Sequence, residues 1–186
     1  MSGETSEITR WWWLRHAASA VGKGVCVGSS DVDCLDPDPA TLARVSALLP
    51  DTAICLTSPR LRARRTFAAL PGFALADAEP AFAEQDFGAW EGKLYEHIET
   101  DLSSPATLRP PGGESFIDML ARVGAAIDRI EGAEILVVAH AGPIRAALAK
   151  ALDLTPAGAL SLRIDPLSLT CLVRHSDAWL VEFVNR

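Results

Sequence analysis

The sequence predicts an α/β protein, a three-layer α/β/α sandwich with a mainly parallel central sheet, on three observations. Apolar runs of strand length alternate with stretches of helical periodicity along the chain. No linker, internal repeat or low-complexity tract divides the 186 residues, so a single domain over 1–186 is expected. Three of the apolar runs stop on polar residues followed by small ones, as strands do when they deliver a ligand site beyond their carboxyl ends.

Taken in order, residues 8–15 (ITRWWWLR) are β-branched and aromatic, which suits a buried strand. Leu42, Val45, Leu48 and Leu49 put an apolar stripe on a helix over 40–49. Ala53 to Thr57 reads as a short strand. Ser58-Pro59 follows as helix cap and first helical residue, predicting a helix over 59–70 that stops at Pro71-Gly72. Residues 71–112 lack sustained periodicity, and only 95–101 suggest a short helix. An excursion of that length predicts a functional rim or lid. Phe116, Leu120, Val123, Ile127 and Ile130 recur at helical spacing behind a capping-box pair, Ser115 and Asp118. A buried-type strand (134–139, EILVVA) precedes a helix over 143–152. Strands over 169–173 and 179–184 close the chain as a hairpin through Arg174-His175-Ser176-Asp177.

Composition narrows the function. The net charge of −7 gives no global electrostatic case for nucleic acid or an anionic membrane surface. Ala18-Ser19-Ala20 imitates a signal-peptide cleavage site. Glu4 and Glu7 precede it, however, and the apolar run spans only Trp11 to Leu14, so no secretory signal or membrane span is expected. Cys26, Cys34, Cys55 and Cys171 form no CxxC pair and no zinc pattern, so no structural metal is expected. Cys26 and Cys34 share a loop where a disulfide is compatible with the spacing, but reduced thiols in a cytoplasmic protein fit better.

The three strand ends carry the chemistry. One stops at Arg15-His16, one at Thr57-Ser58 with Arg60, Arg62, Arg64 and Arg65 behind it, and one at His140 before Ala141-Gly142-Pro143. If these strands are neighbours, two histidines and at least two arginines meet at one edge. Arginines and helix N-termini hold phosphate oxygens, and a histidine ring nitrogen can attack phosphorus. The leaving oxygen then needs a proton donor, and Glu84, Asp86, Glu91 and Glu96 all qualify from the residues alone. Arginines and a second histidine can neutralise the equatorial oxygens, so neither metal nor cofactor is called for. Singly, each feature has a plainer reading: a strand terminus, a core histidine, a solvated helix face.

Four ordered segments, LRHAAS (14–19), SPRLRARRT (58–66), EQDFGAWEG (84–92) and VVAHAGPIR (137–145), resemble the histidine phosphatase superfamily from Trp11 to Leu152. The resemblance implies that His16 is the nucleophile, that Arg15 and Arg62 bind phosphate, and that His140 shares the pocket. It also implies that Glu84 is the proton donor, while Ser19 stands where a hydroxyl can still donate. The implied partner is a small phosphate ester. Ala17 and Ala141 depart from the family's usual glycines, and a backbone needing positive φ would be strained there. Glu91 is expected to play a structural part beside Gly92, and Glu114 to lie near the pocket mouth or, more plainly, to cap the long helix. Within the superfamily, the short chain, the Trp-rich first strand and PPGGES look like alpha-ribazole phosphatases of cobalamin biosynthesis. A phosphoglycerate mutase, a broad sugar-phosphate phosphatase and a non-catalytic phosphoryl-binding module remain alternatives. Phe82, Phe87 and Trp90 could cover an aromatic base, and core packing accounts for them equally well. His97 and His175 take no role.

Overall fold

The structure is a computed structural model that describes residues 8–100, 103–176 and 178–186. Glu4, Glu7, Asp101 and Asp177, invoked above, lie outside them. Six strands form one sheet in the order β3-β2-β4-β1-β5-β6. They are β1 (Ile8–Arg15), β2 (Ile54–Thr57), β3 (Asp77–Ala78), β4 (Glu134–Ala139), β5 (Leu169–His175) and β6 (Ala178–Phe183). The first four are parallel and the last two join antiparallel, so the sheet is mainly parallel as expected.

Helices cover both faces, which is why β1 can be apolar almost throughout. Successive side chains of a strand point to opposite faces. Trp11 and Trp13 enter one core with Phe116, Met119, Val123 and Ile127 of α3 (Phe116–Arg129) and Ile144 of α4 (Ala141–Leu152). Trp12 and Leu14 enter the other with Leu42 and Val45 of α1 (Pro39–Ser46) and Ala63 and Phe67 of α2 (Leu61–Ala68). A short α5 (Pro156–Leu160) completes the first layer. Phe82 is fully buried edge-on against Trp13, so packing accounts for that ring.

Register positions the site. Leu14 pairs with Val138 and Arg15 with Ala139, while Thr57 pairs with Val138 on the other side of β4. The three central strands therefore end level, and the ladder continues one step past them. The His16 amide donates to Ala139 O (2.9 Å) and the Ser58 amide to Val138 O (2.9 Å). His16, Ser58 and His140 consequently leave the sheet side by side.

Several boundaries differ from expectation. The second helix starts at Leu61, not Pro59, because Arg60 is extended (φ −76°, ψ 140°), and no side chain caps it. Ser58 is spent elsewhere, as described below. The helix after β4 starts at Ala141 with His140 as its cap residue, two residues earlier than read. The excursion holds β3 and three 3₁₀ turns, 80–82, 88–90 and 95–97, the last replacing the helix expected over 95–101. His175 ends β5 rather than lying in the hairpin turn. The box on α3 is made reciprocally by Ser115 and Asp118. Among the described residues no helix is long and apolar enough to cross a membrane, and all four cysteines are free.

Candidate functional site

The structure brings His16, Arg62 and His140 into direct contact at the carboxyl edge of the sheet. The His16 and His140 rings lie 4.8 Å apart between centroids, edge to face. Arg62, on the first turn of α2, is 1% exposed and donates from Nε to His16 Nε2 at 3.2 Å. A guanidinium nitrogen has only protons to give, so Nε2 carries the lone pair. Nδ1 then holds the proton and donates it to the Ala17 carbonyl at 2.5 Å. Burial, reinforced by the charges of Arg62 and Arg15, pushes the His16 pKa down to about 3, which keeps the ring neutral at physiological pH.

His140 is fully buried. Burial and then His16, Arg62, Arg15 and Arg60 hold its pKa well below the ordinary histidine value. Its Nε2 lies 2.7 Å from Ser58 Oγ, which also accepts from the Arg60 amide at 3.2 Å. That pair of contacts is the task Ser58 performs in place of a helix cap.

Polar nitrogens are left over. His140 Nδ1, Arg15 Nε and Arg60 Nε are buried without a hydrogen-bond partner in the protein. Orphaned buried donors are costly unless something accepts from them. Arg15 is held through Nη1 by Ile164 O at 2.5 Å. Arg62 spends Nη1 on Ser30 O and Nη2 on Gly28 O, both at 2.7 Å. Burial lowers the pKa of both guanidiniums from the ordinary arginine value, yet both remain cations at any ordinary pH. The collected groups suit a small dense anion.

Glu84 supplies the opposite sign. Its Oε1 accepts from the Gln85 amide (3.0 Å) and its Oε2 from the Gly142 amide in the first turn of α4 (3.4 Å). The contact needs a glycine, because a Cβ at position 142 would stand 2.1 Å from Glu84 Oε1. Asp86, by contrast, accepts from the Gly88 amide (2.7 Å), and Glu96 is exposed beside His97. Glu91 accepts from the Ser29 and Phe87 amides (2.6 and 3.1 Å) and from the Ser30 hydroxyl. It therefore fixes the loop whose carbonyls grip Arg62, a structural part of the expected kind.

Other expectations change. Glu114 does not cap α3; it pairs with Arg122 at 2.6 Å. Neither Ala17 nor Ala141 has positive φ, so no strain attends either residue. The Ala17 amide donates to Thr66 Oγ1 at 2.9 Å. Ser19 sits half-buried on the loop after β1, bridged to Cys34, and among the described residues no hydrogen bond links its hydroxyl to the histidines. Arg65 pairs with Asp33 and Asp36 away from the cluster. Arg60 stands among the four arginines read behind the second strand end, whereas Arg122 went unread in the sequence. Arginines near a helix start or on a helix face carry no local signal separating a site from a solvated surface.

A cavity of about 330 Å³ opens beside the cluster, lined by Ser29, Arg60, Pro80, Ala83, Glu84, Asp86, Gly112, Gly113, Glu114 and Arg122. A larger one, about 540 Å³, lies between α1 and residues 165–168 and 185–186, but it is the smaller that Glu84 and Arg60 line, so the chemistry belongs there. Among the described residues no group of three or more His, Cys, Asp or Glu is placed to hold a metal ion.

Comparison with known proteins follows this geometry. The family model of the histidine phosphatase superfamily (branch 1) matches residues 11–186. A bifunctional protein of Mycobacterium tuberculosis is 41% identical over 115 residues, which are 55% of this chain and 32% of that protein. The chain thus spans about a third of the length of the curated relatives it matches. The structure of a candidate alpha-ribazole-5′-phosphate phosphatase from Escherichia coli superposes with a TM-score of 0.85, covering 96% of both chains. At 19% identity that likeness carries the fold alone. A mycobacterial glucosyl-3-phosphoglycerate phosphatase in complex with VO3 gives 0.79 at 25% identity, covering 95% of this chain and 98% of that one.

Proposed function

The chain belongs to the histidine phosphatase superfamily, branch 1, and as a phosphatase of that family we propose that it hydrolyses small phosphate monoesters through a phosphohistidine at His16. The observation that carries this reading is the unprotonated Nε2 of His16, aligned by Arg62 Nε at 3.2 Å, in a pocket with the unpartnered nitrogens Arg15 Nε and His140 Nδ1. His16 Nε2 forms a bond to phosphorus as the ester P–O bond breaks, and Glu84 gives its proton to the departing alkoxide. Water then attacks phosphorus, the N–P bond breaks, and Glu84 takes up the proton that the water sheds. Arg15, Arg62 and His140 hold the phosphoryl oxygens, most tightly in the transition state, with Ser19 within the same loop. The two guanidiniums and the N-terminus of α4 supply the charge that a metal would otherwise supply, so the reaction proceeds without one.

The finer substrate is alpha-ribazole 5′-phosphate, which would set the chain in cobalamin biosynthesis as one phosphatase domain with residues 71–112 as the rim of its site. The Trp-rich first strand, PPGGES and the fold of the Escherichia coli structure support it. Four free thiols suit the reducing cytoplasm. A second reading, a sugar-phosphate phosphatase, is favoured by the hydrogen-bonding lining of the cavity, where Arg60, Asp86 and Ser29 stand and no aromatic ring does. Turnover of a panel holding alpha-ribazole phosphate, sugar phosphates and 3-phosphoglycerate, with and without chelator, decides. The first reading expects the highest kcat/KM on alpha-ribazole phosphate, unchanged by chelator. Preference for a sugar phosphate selects the second reading, chelator-sensitive turnover contradicts the metal-free route, and no turnover at all favours a phosphoryl-binding module.

A further inference from the structure

Arg122 lies on α3, 38 residues beyond Glu84 in sequence, with its head group against the chain that carries Glu84. Nη1 donates to Ala81 O (2.7 Å), and Nη2 donates to Ala83 O (3.0 Å) and Glu84 O (3.2 Å). Nε and Nη2 also meet the Glu114 carboxylate at 2.9 and 2.6 Å. Glu114 is bound to the same segment: its Oε1 accepts from the Asp86 amide (3.1 Å), its amide donates to Asp86 O (2.9 Å), and its carbonyl accepts from Gln85 Nε2 (2.9 Å).

Residues 83–87 belong to no strand or helix. Their carbonyls have no ladder to join, and buried carbonyls need donors. A planar guanidinium with five N–H groups in fixed geometry can serve three carbonyls and a carboxylate together, which an ammonium on a flexible stem cannot. The fork therefore substitutes for secondary structure at the point where the acid must be held. The tolerance there is small, since Glu84 reaches the Gly142 amide at the limit of hydrogen bonding, 3.4 Å.

We propose that Arg122 is a positioning residue for proton transfer, clamping the Glu84 backbone so that the carboxyl stays against the N-terminus of α4. The inference rests on the reading of Glu84 as the acid that protonates the leaving alcohol. Misplacing that acid penalises an ester in proportion to how much its leaving group needs a proton. Simple instability would penalise all esters alike.

The test compares kcat/KM, which reports the steps up to release of the alcohol, on p-nitrophenyl phosphate and on a simple alkyl phosphate. Both Arg122→Ala and Arg122→Lys are assayed, with folding checked by thermal melting. The expected result is a fall on the order of 10²-fold for the alkyl ester, the scale of a general acid. The nitrophenyl ester should fall by less than about threefold, because its leaving group needs no proton. Should the alanine variant fail to fold, the lysine variant carries the same criterion, since it keeps a charge opposite Glu114 and loses the fork. Added to Glu84→Gln, either substitution should lower alkyl-ester turnover no further, as expected of residues acting as one unit. Equal losses on both esters, no loss on either, or full additivity with Glu84→Gln overturns the proposal. A wild-type chain that turns over neither ester overturns instead the phosphatase reading on which it stands.

Discussion

His16, Ser58 and His140 hang from three adjacent strands whose ends the hydrogen-bond ladder holds level, whereas Glu84 hangs from a segment bounded by 3₁₀ turns. His16, Ser58 and His140 are therefore placed by sheet register and fixed by the same bonds that fix the core, with Arg62 set against them from α2 by the Gly28 and Ser30 carbonyls. The acidic side is placed by the Arg122 side chain from α3, by Glu114 from the loop before that helix, and by the Gly142 amide of α4. A sheet edge is a rigid place to hold a nucleophile and its anion. A tethered segment can be set against it at a distance that the sheet itself does not dictate.

Breaking each side should have a different signature. His16→Ala removes the nucleophile and should lower turnover on every ester by about 10⁴-fold or more, with the variant still folded by thermal melting; turnover near the wild-type level would remove His16 from the mechanism. Glu84→Gln keeps the shape and removes the transferable proton. It should cost on the order of 10³-fold on alkyl esters and far less on p-nitrophenyl phosphate, and a loss blind to the leaving group would mean Glu84 is not the acid. Gly142→Ala attacks the joint between the two sides. The added methyl group meets Glu84 Oε1 at 2.1 Å and Met119 Sδ at 2.8 Å, so the carboxyl must move. A loss of roughly ten- to a hundredfold in alkyl-ester turnover is expected, and an unchanged rate would show that the close approach does not matter.

The smallest effect is on stability. With pKa values of about 3 for His16 and well below the ordinary value for His140, the folded chain refuses protons that the unfolded chain accepts below about pH 6.5. Their contribution is fully present above that pH and is lost as pH falls toward 3. Urea midpoints measured from pH 7.5 down to 4 should fall, and more gently in His16→Gln. Parallel slopes in the two proteins would count against burial of a neutral His16.

The same contrast decides what could be read in advance. Strand ends, the buried strand through Trp11, Trp12 and Trp13, and the cap at Ser115 are local patterns, and each stands in the structure. Arg62 and His140 followed from the strand ends and from the resemblance of their motifs. Ser58 misled, because a serine before a proline looks like a cap whether its hydroxyl meets an amide or His140. Glu114 misled as a cap for a similar reason, standing just before a helix start while its partners, Arg122 and the Asp86 amide, come from elsewhere, although it does line the cavity. Arg122 left no trace, and Arg60 showed only as one of four arginines behind a strand end. Their roles depend on carbonyls and cavities that only the folded chain brings near, and an arginine on a helix otherwise reads as a solvated face.

The central claim is that the His16 lone pair takes the phosphoryl group. Mixing the protein with a turned-over ester, quenching in alkali within the first turnovers and mapping phosphate by peptide mass spectrometry tests it most directly. The account predicts an acid-labile, alkali-stable phosphoryl group on His16, absent from His16→Ala. Phosphate on another residue, or turnover with no phosphoprotein formed, would contradict it.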